Sequence, residues 1–167
     1  NFSSPAVATA ELDSSQLPEL RPDVTDPQHS WLLSLAPGEP GERLEQLRQA
    51  PAESPEVWLA RGAESLRAGD VPGAVKATAA LLEADPWEWR ALWISGLAAL
   101  RSNDWSGAQA AFNAVYQQVP GELAPKLALA LACELGGQGE VAEGLYRTCS
   151  ETDAAYVAPA AFGMARV

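Results

Sequence analysis

The sequence predicts an all-α fold of antiparallel helix pairs that stack side by side. Gly62 recurs as Gly96, and Pro86 recurs as Pro120 at the same interval. Small residues on the intervening helices follow the same spacing: Ala74, Ala108 and Ala142. A helix pair of this kind cannot bury its apolar face alone, so each pair must pack on its neighbours.

A period of about 34 residues with small residues at fixed offsets is typical of the tetratricopeptide repeat. We therefore expect a right-handed superhelix of antiparallel helix pairs. Such a stack leaves a concave groove that binds other chains. The pattern indicates an interaction module before any chemistry is considered.

The first part of the chain does not fit the repeat. Residues 1–25 read as a linker or extended segment, because prolines and small polar residues interrupt every period. Residues 26–53 predict two short leading helices, one capped by Asp26 with Pro27 at its first position, and one from about Pro40 to Ala50. They are either a degenerate repeat or a cap over the first full repeat, and the sequence leaves both open.

The repeat domain is predicted over residues 54–167. Ser54 and Pro55 are a helix cap and first-turn proline, Gly69 supplies a left-handed helix end, and Asp70 caps the second helix. The predicted units are three full repeats and a truncated final helix: about 55–88, 89–122, 123–156 and 154–167.

Later units repeat this plan with substitutions. The first helix of the second unit is predicted from about Pro86 to Arg101, with Asn103 and Asp104 in the turn. The first helix of the third is predicted from about Glu122 to Leu135. Large residues should fill the space between hairpins at equivalent positions, which hold Thr78, Phe112 and Tyr146.

Composition excludes several classes of function. The 22 acidic and 11 basic residues give a net charge of −11, which disfavours nucleic acid and anionic membranes as partners. Cys133 and Cys149 are the only cysteines and His29 is the only histidine, so we expect no metal site and no cofactor. Sparse cysteines on apolar stretches favour a reducing, cytoplasmic location. The chain does not begin with Met, so we expect an excised fragment.

Several stretches go beyond a generic repeat. They are WEWRALW at 87–93, NDWSGA at 103–108, PGELAPKLALA at 120–130 and AAFGMAR at 160–166. These stretches resemble the C-terminal tetratricopeptide domain of the actinobacterial-type serine/threonine protein kinase G. The resemblance is strongest from about Asp85 to Arg166 and weaker from Asp26 to Asp85.

The resemblance implies a parent that carries a rubredoxin-like metal domain and an ATP-dependent kinase domain before this one. It also implies that the repeat domain supports dimer formation and recruits protein substrates, including a forkhead-associated-domain regulator of 2-oxoglutarate metabolism. The glycine-rich loop, the catalytic HRD and the DFG of a kinase do not occur in this sequence. We therefore expect a non-catalytic module.

The predicted partner groove lies on the first helix of each repeat. Equivalent positions and their neighbours there form an apolar stripe edged by arginine: Leu59, Arg67, Arg90, Trp93, Leu97, Arg101 and Leu127. An aromatic anchor beside arginine is typical of a binding hot spot. The opposing interpretation is that the leucines, and Trp93 with them, are core, and that the arginines are simply solvated.

Three functions remain open at this stage. The favoured one is a kinase-associated module that binds other proteins or the kinase domain of its own chain, with a homodimer possible. The second is a free-standing adaptor unrelated to a kinase, and the third a purely structural dimerisation element. An enzyme is disfavoured, because His29 has no nucleophile or acid at motif spacing.

Overall fold

A computed structural model describes residues 22–119 and 123–152, and within these ranges the chain is all-α, as predicted, with no strand. Residues 1–21, 120–122 and 153–167 lie outside the described part, and with them most of the predicted linker and the truncated final helix. The described helices are α1 His29–Leu33, α2 Pro40–Arg48, α3 Pro55–Arg67, α4 Val71–Ala84, α5 Trp89–Arg101, α6 Trp105–Gln118, α7 Leu123–Leu135 and α8 Gly139–Thr152.

The described residues form two compact units, which divide between Ala98 and Ala99 within α5. In the first unit, α3 packs against both α2 and α4. In the second unit, α7 packs against both α6 and α8. Each unit thus contains an antiparallel helix pair of the predicted kind, α3–α4 in one and α7–α8 in the other.

The turns inside the three helix pairs share one backbone conformation, which recurs at the interval of the sequence repeat. Gly69, Asn103 and Gly137 all have positive φ, at 78°, 59° and 84°. The amide of the next residue donates a hydrogen bond to the carbonyl five positions earlier, with N–O distances of 2.8 Å from Asp70, 2.9 Å from Asp104 and 2.8 Å from Gln138. This is the Schellman motif, which satisfies carbonyls at a helix end. The repeat period is therefore present in the backbone itself.

Side-chain caps begin three of the described helices. The sequence predicted the caps at Ser54 and Asp70 and placed Asp104 only in a turn. Ser54 accepts a hydrogen bond from the Val57 amide at the start of α3. Asp70 and Asp104 cap α4 and α6 by accepting from the amides of Gly73 and Gly107. A Cβ on either of these glycines would lie 2.2 Å from Oδ2 of the capping carboxylate, so that the aspartate side chain would have to shift to make room for it.

The second helix of each pair presents equivalent residues to the core. Ala74, Ala108 and Ala142 are completely buried. Two further sets at the same spacing are also buried, and they are Thr78, Phe112 and Tyr146, and Leu81, Val115 and Cys149. The prediction that these helices pack through small residues and fill space with large ones is confirmed within each unit.

The neighbouring helices approach Gly62 less closely than the sequence suggested. A Cβ there would meet Ile94 Cγ2 at 3.4 Å and Ala77 Cβ at 3.6 Å. These are ordinary van der Waals separations, so alanine would fit, and only a larger side chain would force the helices apart.

Two helix starts differ from the prediction. The α5 helix begins at Trp89 rather than near Pro86, because the Asp85 carboxylate accepts the Trp87 amide at 3.0 Å and holds a turn before the helix. Asp26 does not cap the helix that follows it. One carboxylate oxygen accepts the Gln28 amide at 2.8 Å, and the other accepts the Glu56 amide of α3 at 3.1 Å.

Candidate partner-binding surface

The apolar members of the predicted groove are buried in the described structure. Trp93 and Leu97 have no exposed surface, and Leu59 and Leu127 are 4% and 3% exposed. Leu59, Trp93 and Leu97 lie in the first unit and Leu127 lies in the second. These side chains stabilise their units from within, and a partner could reach them only after a rearrangement.

Arg90 links equivalent positions of successive repeats. Its Nη1 lies 2.7 Å from Glu56 Oε1, and its Nε lies 2.8 Å from Glu88 Oε1. Glu56 and Arg90 occupy the same repeat position, at the start of α3 and of α5. Burial alone would lower the pKa of Arg90, but the hydrogen bonds that it donates to Glu88 and Glu56 more than offset this and raise the pKa. The guanidinium is therefore fixed by its own chain.

Arg67 and Arg101 retain solvent access. The Arg67 side chain is 53% exposed and donates to Glu64 Oε1 at 2.8 Å. The same carboxylate oxygen accepts from Arg43 of α2 at 3.2 Å, so Glu64 ties the leading helix to the first repeat. Arg101 lies in the second unit, where burial lowers its pKa. Of the predicted set, these two arginines are best placed to meet a partner.

A cavity in the first unit was not anticipated from the sequence. It lies between α2, α3 and α4, has a volume of about 450 Å³, and its lining includes Leu44, Arg48, Glu53, Trp58, Arg61 and Lys76. Its only signal in the sequence is that three of the 11 basic residues of the chain lie on three successive helices. Helix packing alone brings them to one place.

Arg61 forms one fixed wall of this cavity. Its guanidinium lies 5.0 Å from the centroid of the Trp58 ring, donates to the Leu47 carbonyl at 2.9 Å, and pairs with Glu53 at 2.6 Å. A cation over an indole ring is stabilised by the ring's negative face. The Arg61 charge is thus already matched, whereas the rim cations face solvent.

The exposed cations at the rim are Arg48 and Lys76. Arg48 is 57% exposed and pairs with Glu45 one helical turn away. Lys76 is exposed and has neither an ion pair nor a hydrogen bond with any residue of the described ranges. Surface pairs such as Arg48–Glu45 contribute little and exchange readily. Both cations are available to an incoming anion.

The sequence model of the protein kinase G tetratricopeptide repeat family matches residues 8–167 of this chain. The chain belongs to the protein kinase G tetratricopeptide repeat family. The resemblance found in the sequence is confirmed, and so is the fold class, because the family is defined by this repeat.

Two curated relatives extend the family match. The serine/threonine-protein kinase PknG of Mycolicibacterium smegmatis is 34% identical over 169 residues, which cover 95% of this chain and 22% of that protein. The PknG of Mycobacterium leprae is 35% identical over 155 residues, which cover 86% of this chain and 20% of that protein. The chain thus corresponds to about a fifth of the length of each relative.

Two further observations concern metal binding and membrane insertion. Among the described residues, no three His, Cys, Asp or Glu side chains are grouped in a way that could hold a metal ion. None of the described helices combines the length and apolar character that a bilayer crossing needs.

Proposed function

We propose that the chain is the non-catalytic interaction module of a serine/threonine protein kinase. The match to the kinase G repeat family over residues 8–167 carries this proposal. The repeated Schellman turns and the buried small residues support it, because stacked helix pairs of this kind present surfaces that bind other proteins. The parent would supply ATP binding and phosphoryl transfer.

Within that role, the module recruits or positions protein substrates, binds the kinase domain of its own chain, or joins two copies of the parent. Arg67 of the first compact unit and Arg101 of the second would each take part in such contacts. The buried Leu59, Trp93, Leu97 and Leu127 would each stabilise the unit in which it lies. Cytoplasmic location stays part of the same proposal.

A kinetic comparison tests recruitment. The parent kinase is assayed with and without residues 22–167, on a protein substrate and on a short peptide from its phosphorylation site. Removal of the module should raise KM for the protein substrate about tenfold or more, a loss of about 1.4 kcal/mol of binding. The values of kcat/KM for the peptide should not change. Equal effects on both substrates would contradict recruitment.

Arg67→Glu gives a sharper version of the same test. It should weaken capture of the substrate or of the kinase domain, since the Arg67 side chain is half exposed. The buried Glu64 keeps a cation in this variant, because the same carboxylate oxygen also accepts from Arg43. Arg147→Glu is the matched control, because Arg147 is 59% exposed and pairs with Glu143 on its own helix. Light scattering over a range of concentrations measures the dimer separately. A chain that stays monomeric and captures neither protein would refute the proposed function.

A further inference from the structure

We propose that the cavity between α2, α3 and α4 binds an acidic segment of a protein partner. Carboxylates of the segment would pair with Arg48 and Lys76, and one apolar side chain would lie against Trp58 and Leu44. This inference rests on the proposed role as an interaction module and names a site within it.

Charge complementarity decides the kind of occupant. The chain carries a net charge of −11, yet the cavity gathers Arg48, Arg61 and Lys76. The lining also includes two carboxylates: Glu53 pairs with Arg61, and Asp70 accepts the Gly73 amide at 3.0 Å. Three cations against two carboxylates leave the lining with an excess of positive charge, and the exposed Arg48 and Lys76 place it at the rim. Because the chain as a whole is acidic, an acidic segment would be directed to this place.

The lower part of the cavity adds an apolar contact. Leu44 and Ala77 are buried, and Trp58 is partly exposed beneath the guanidinium of Arg61. A volume of about 450 Å³ is within the range of specific binding sites. An apolar side chain there would remove Trp58 from water, while the flanking carboxylates remain at the exposed rim. The arrangement thus favours acidic residues on either side of one apolar residue.

Binding of a defined probe tests the proposal with the whole chain. The probe is a short blocked peptide of glutamates with one central leucine, and its counterpart carries lysines in place of the glutamates. Titration calorimetry should detect the acidic peptide alone, with an affinity that falls as salt is added, because exposed charges are screened. Emission from Trp58 should change on binding, and Trp58→Phe should abolish that change.

Matched variants locate the site. Arg48→Glu and Lys76→Glu should each weaken the acidic peptide about five- to tenfold. Arg147→Glu should leave the affinity within about twofold, although it changes the net charge equally and removes a comparable surface pair. All three residues are exposed, and thermal unfolding checks that each variant folds.

Several results would overturn the proposal. They are equal binding of both peptides, an effect of Arg147→Glu as large as that of Arg48→Glu, or inorganic phosphate competing as strongly as the acidic peptide. The last would assign the cavity to a phosphate-bearing ligand. A chain that captures the kinase domain but ignores the acidic peptide would refute this site and leave the proposed function standing.

Discussion

The first and third helix pairs share a backbone turn but are stabilised by different chemistry. In α3–α4, the turn is followed by the capping carboxylate of Asp70, and α3 carries the buried Glu64 with two arginines on it. In α7–α8, Gln138 stands at the position of Asp70, and the interior is rich in alanine with the buried Cys133 and Cys149. Burial raises the pKa of Cys149 to about 11, so this thiol stays protonated.

This comparison distinguishes the features that both helix pairs share from the charged groups that occur only in the first pair. The left-handed turn residue and the buried small residues occur in both pairs. The charged groups of the first pair serve a different purpose, because Arg43 and Asp26 both come from the leading segment and fix it to α3. These polar contacts attach the leading segment to α3, whereas the helix pair itself is stabilised by packing and by the turn.

The largest expected effect comes from the large core residue of the third pair. Tyr146→Ala should lower the free energy of unfolding by about 3–5 kcal/mol, because a buried aromatic ring leaves a cavity. Thr78→Ala at the equivalent place in the first pair should cost about 1 kcal/mol, since it removes only a methyl and a hydroxyl bonded to the Ala74 carbonyl. Denaturant unfolding measures both.

Tyr146→Phe provides the control for that pair of variants. It keeps the ring and removes the 2.6 Å hydrogen bond to Glu134, so it should cost about 1.5–3 kcal/mol, because the acceptor is a carboxylate. Similar losses from Tyr146→Ala and Thr78→Ala would mean that the two positions are not equivalent in packing.

Substitution of the turn residues tests the shared backbone. Gly69→Val and Gly137→Val should each cost about 1–2 kcal/mol, because φ is positive and a β-branched residue resists that conformation. A Cβ at either place meets no atom within 4 Å, so the cost is conformational only. Gly69→Asn is the control and should cost less, since Asn103 already adopts this conformation in the second turn.

Exchange of the caps tests the difference between the two pairs. Asp70→Ala should destabilise the chain by about 1 kcal/mol through loss of the bond to the Gly73 amide. Gln138→Asp should stabilise it by about 0.5–1 kcal/mol by installing an equivalent cap. Thermal unfolding of both variants is the measurement, and no gain from Gln138→Asp would show that α8 cannot use this cap.

The smallest expected effect is a dependence on pH at Asp26. Burial by itself opposes ionisation of this carboxyl, but hydrogen bonds from Gln28, Ser54 and Glu56 outweigh it and place its pKa below the usual 3.8. Its contribution to stability is therefore present at neutral pH and is lost as the pH falls through that lowered pKa. Asp26→Asn should lower Tm at pH 7, and the difference from the unmodified chain should shrink below pH 3.8. A difference independent of pH would contradict this role.

Local signals in the sequence predicted much of the fold. Ser54 and Asp70 marked helix starts, and Gly69 marked a helix end, because caps and left-handed turns act within a few residues. The leading α2 helix was harder to interpret. Its buried Leu44 and Leu47 lie one repeat period before Thr78 and Leu81, a register that favours the degenerate-repeat interpretation over a separate cap.

The candidate site could not be predicted in the same way. The burial of Trp93, the pairing of Arg90 with Glu56, and the cavity beside Trp58 all depend on contacts between residues distant in the chain. A repeat pattern indicates which helix face is apolar, but it does not say which apolar residues are covered. Sequence alone therefore placed the arginines on the correct helices and left their partners unknown.

The ion pair between Glu56 and Arg90 makes the order of the repeats matter. Glu56 and Arg90 lie at the same position of the first and second sequence repeats, and the third repeat has Ala124 at that position. A gene rearrangement that joined the first repeat directly to the third would leave the buried Glu56 carboxylate without its cation. Loss of one partner of a buried ion pair is strongly destabilising. The repeats are thus not interchangeable, and a change in their order should be selected against even though they share the same backbone turn.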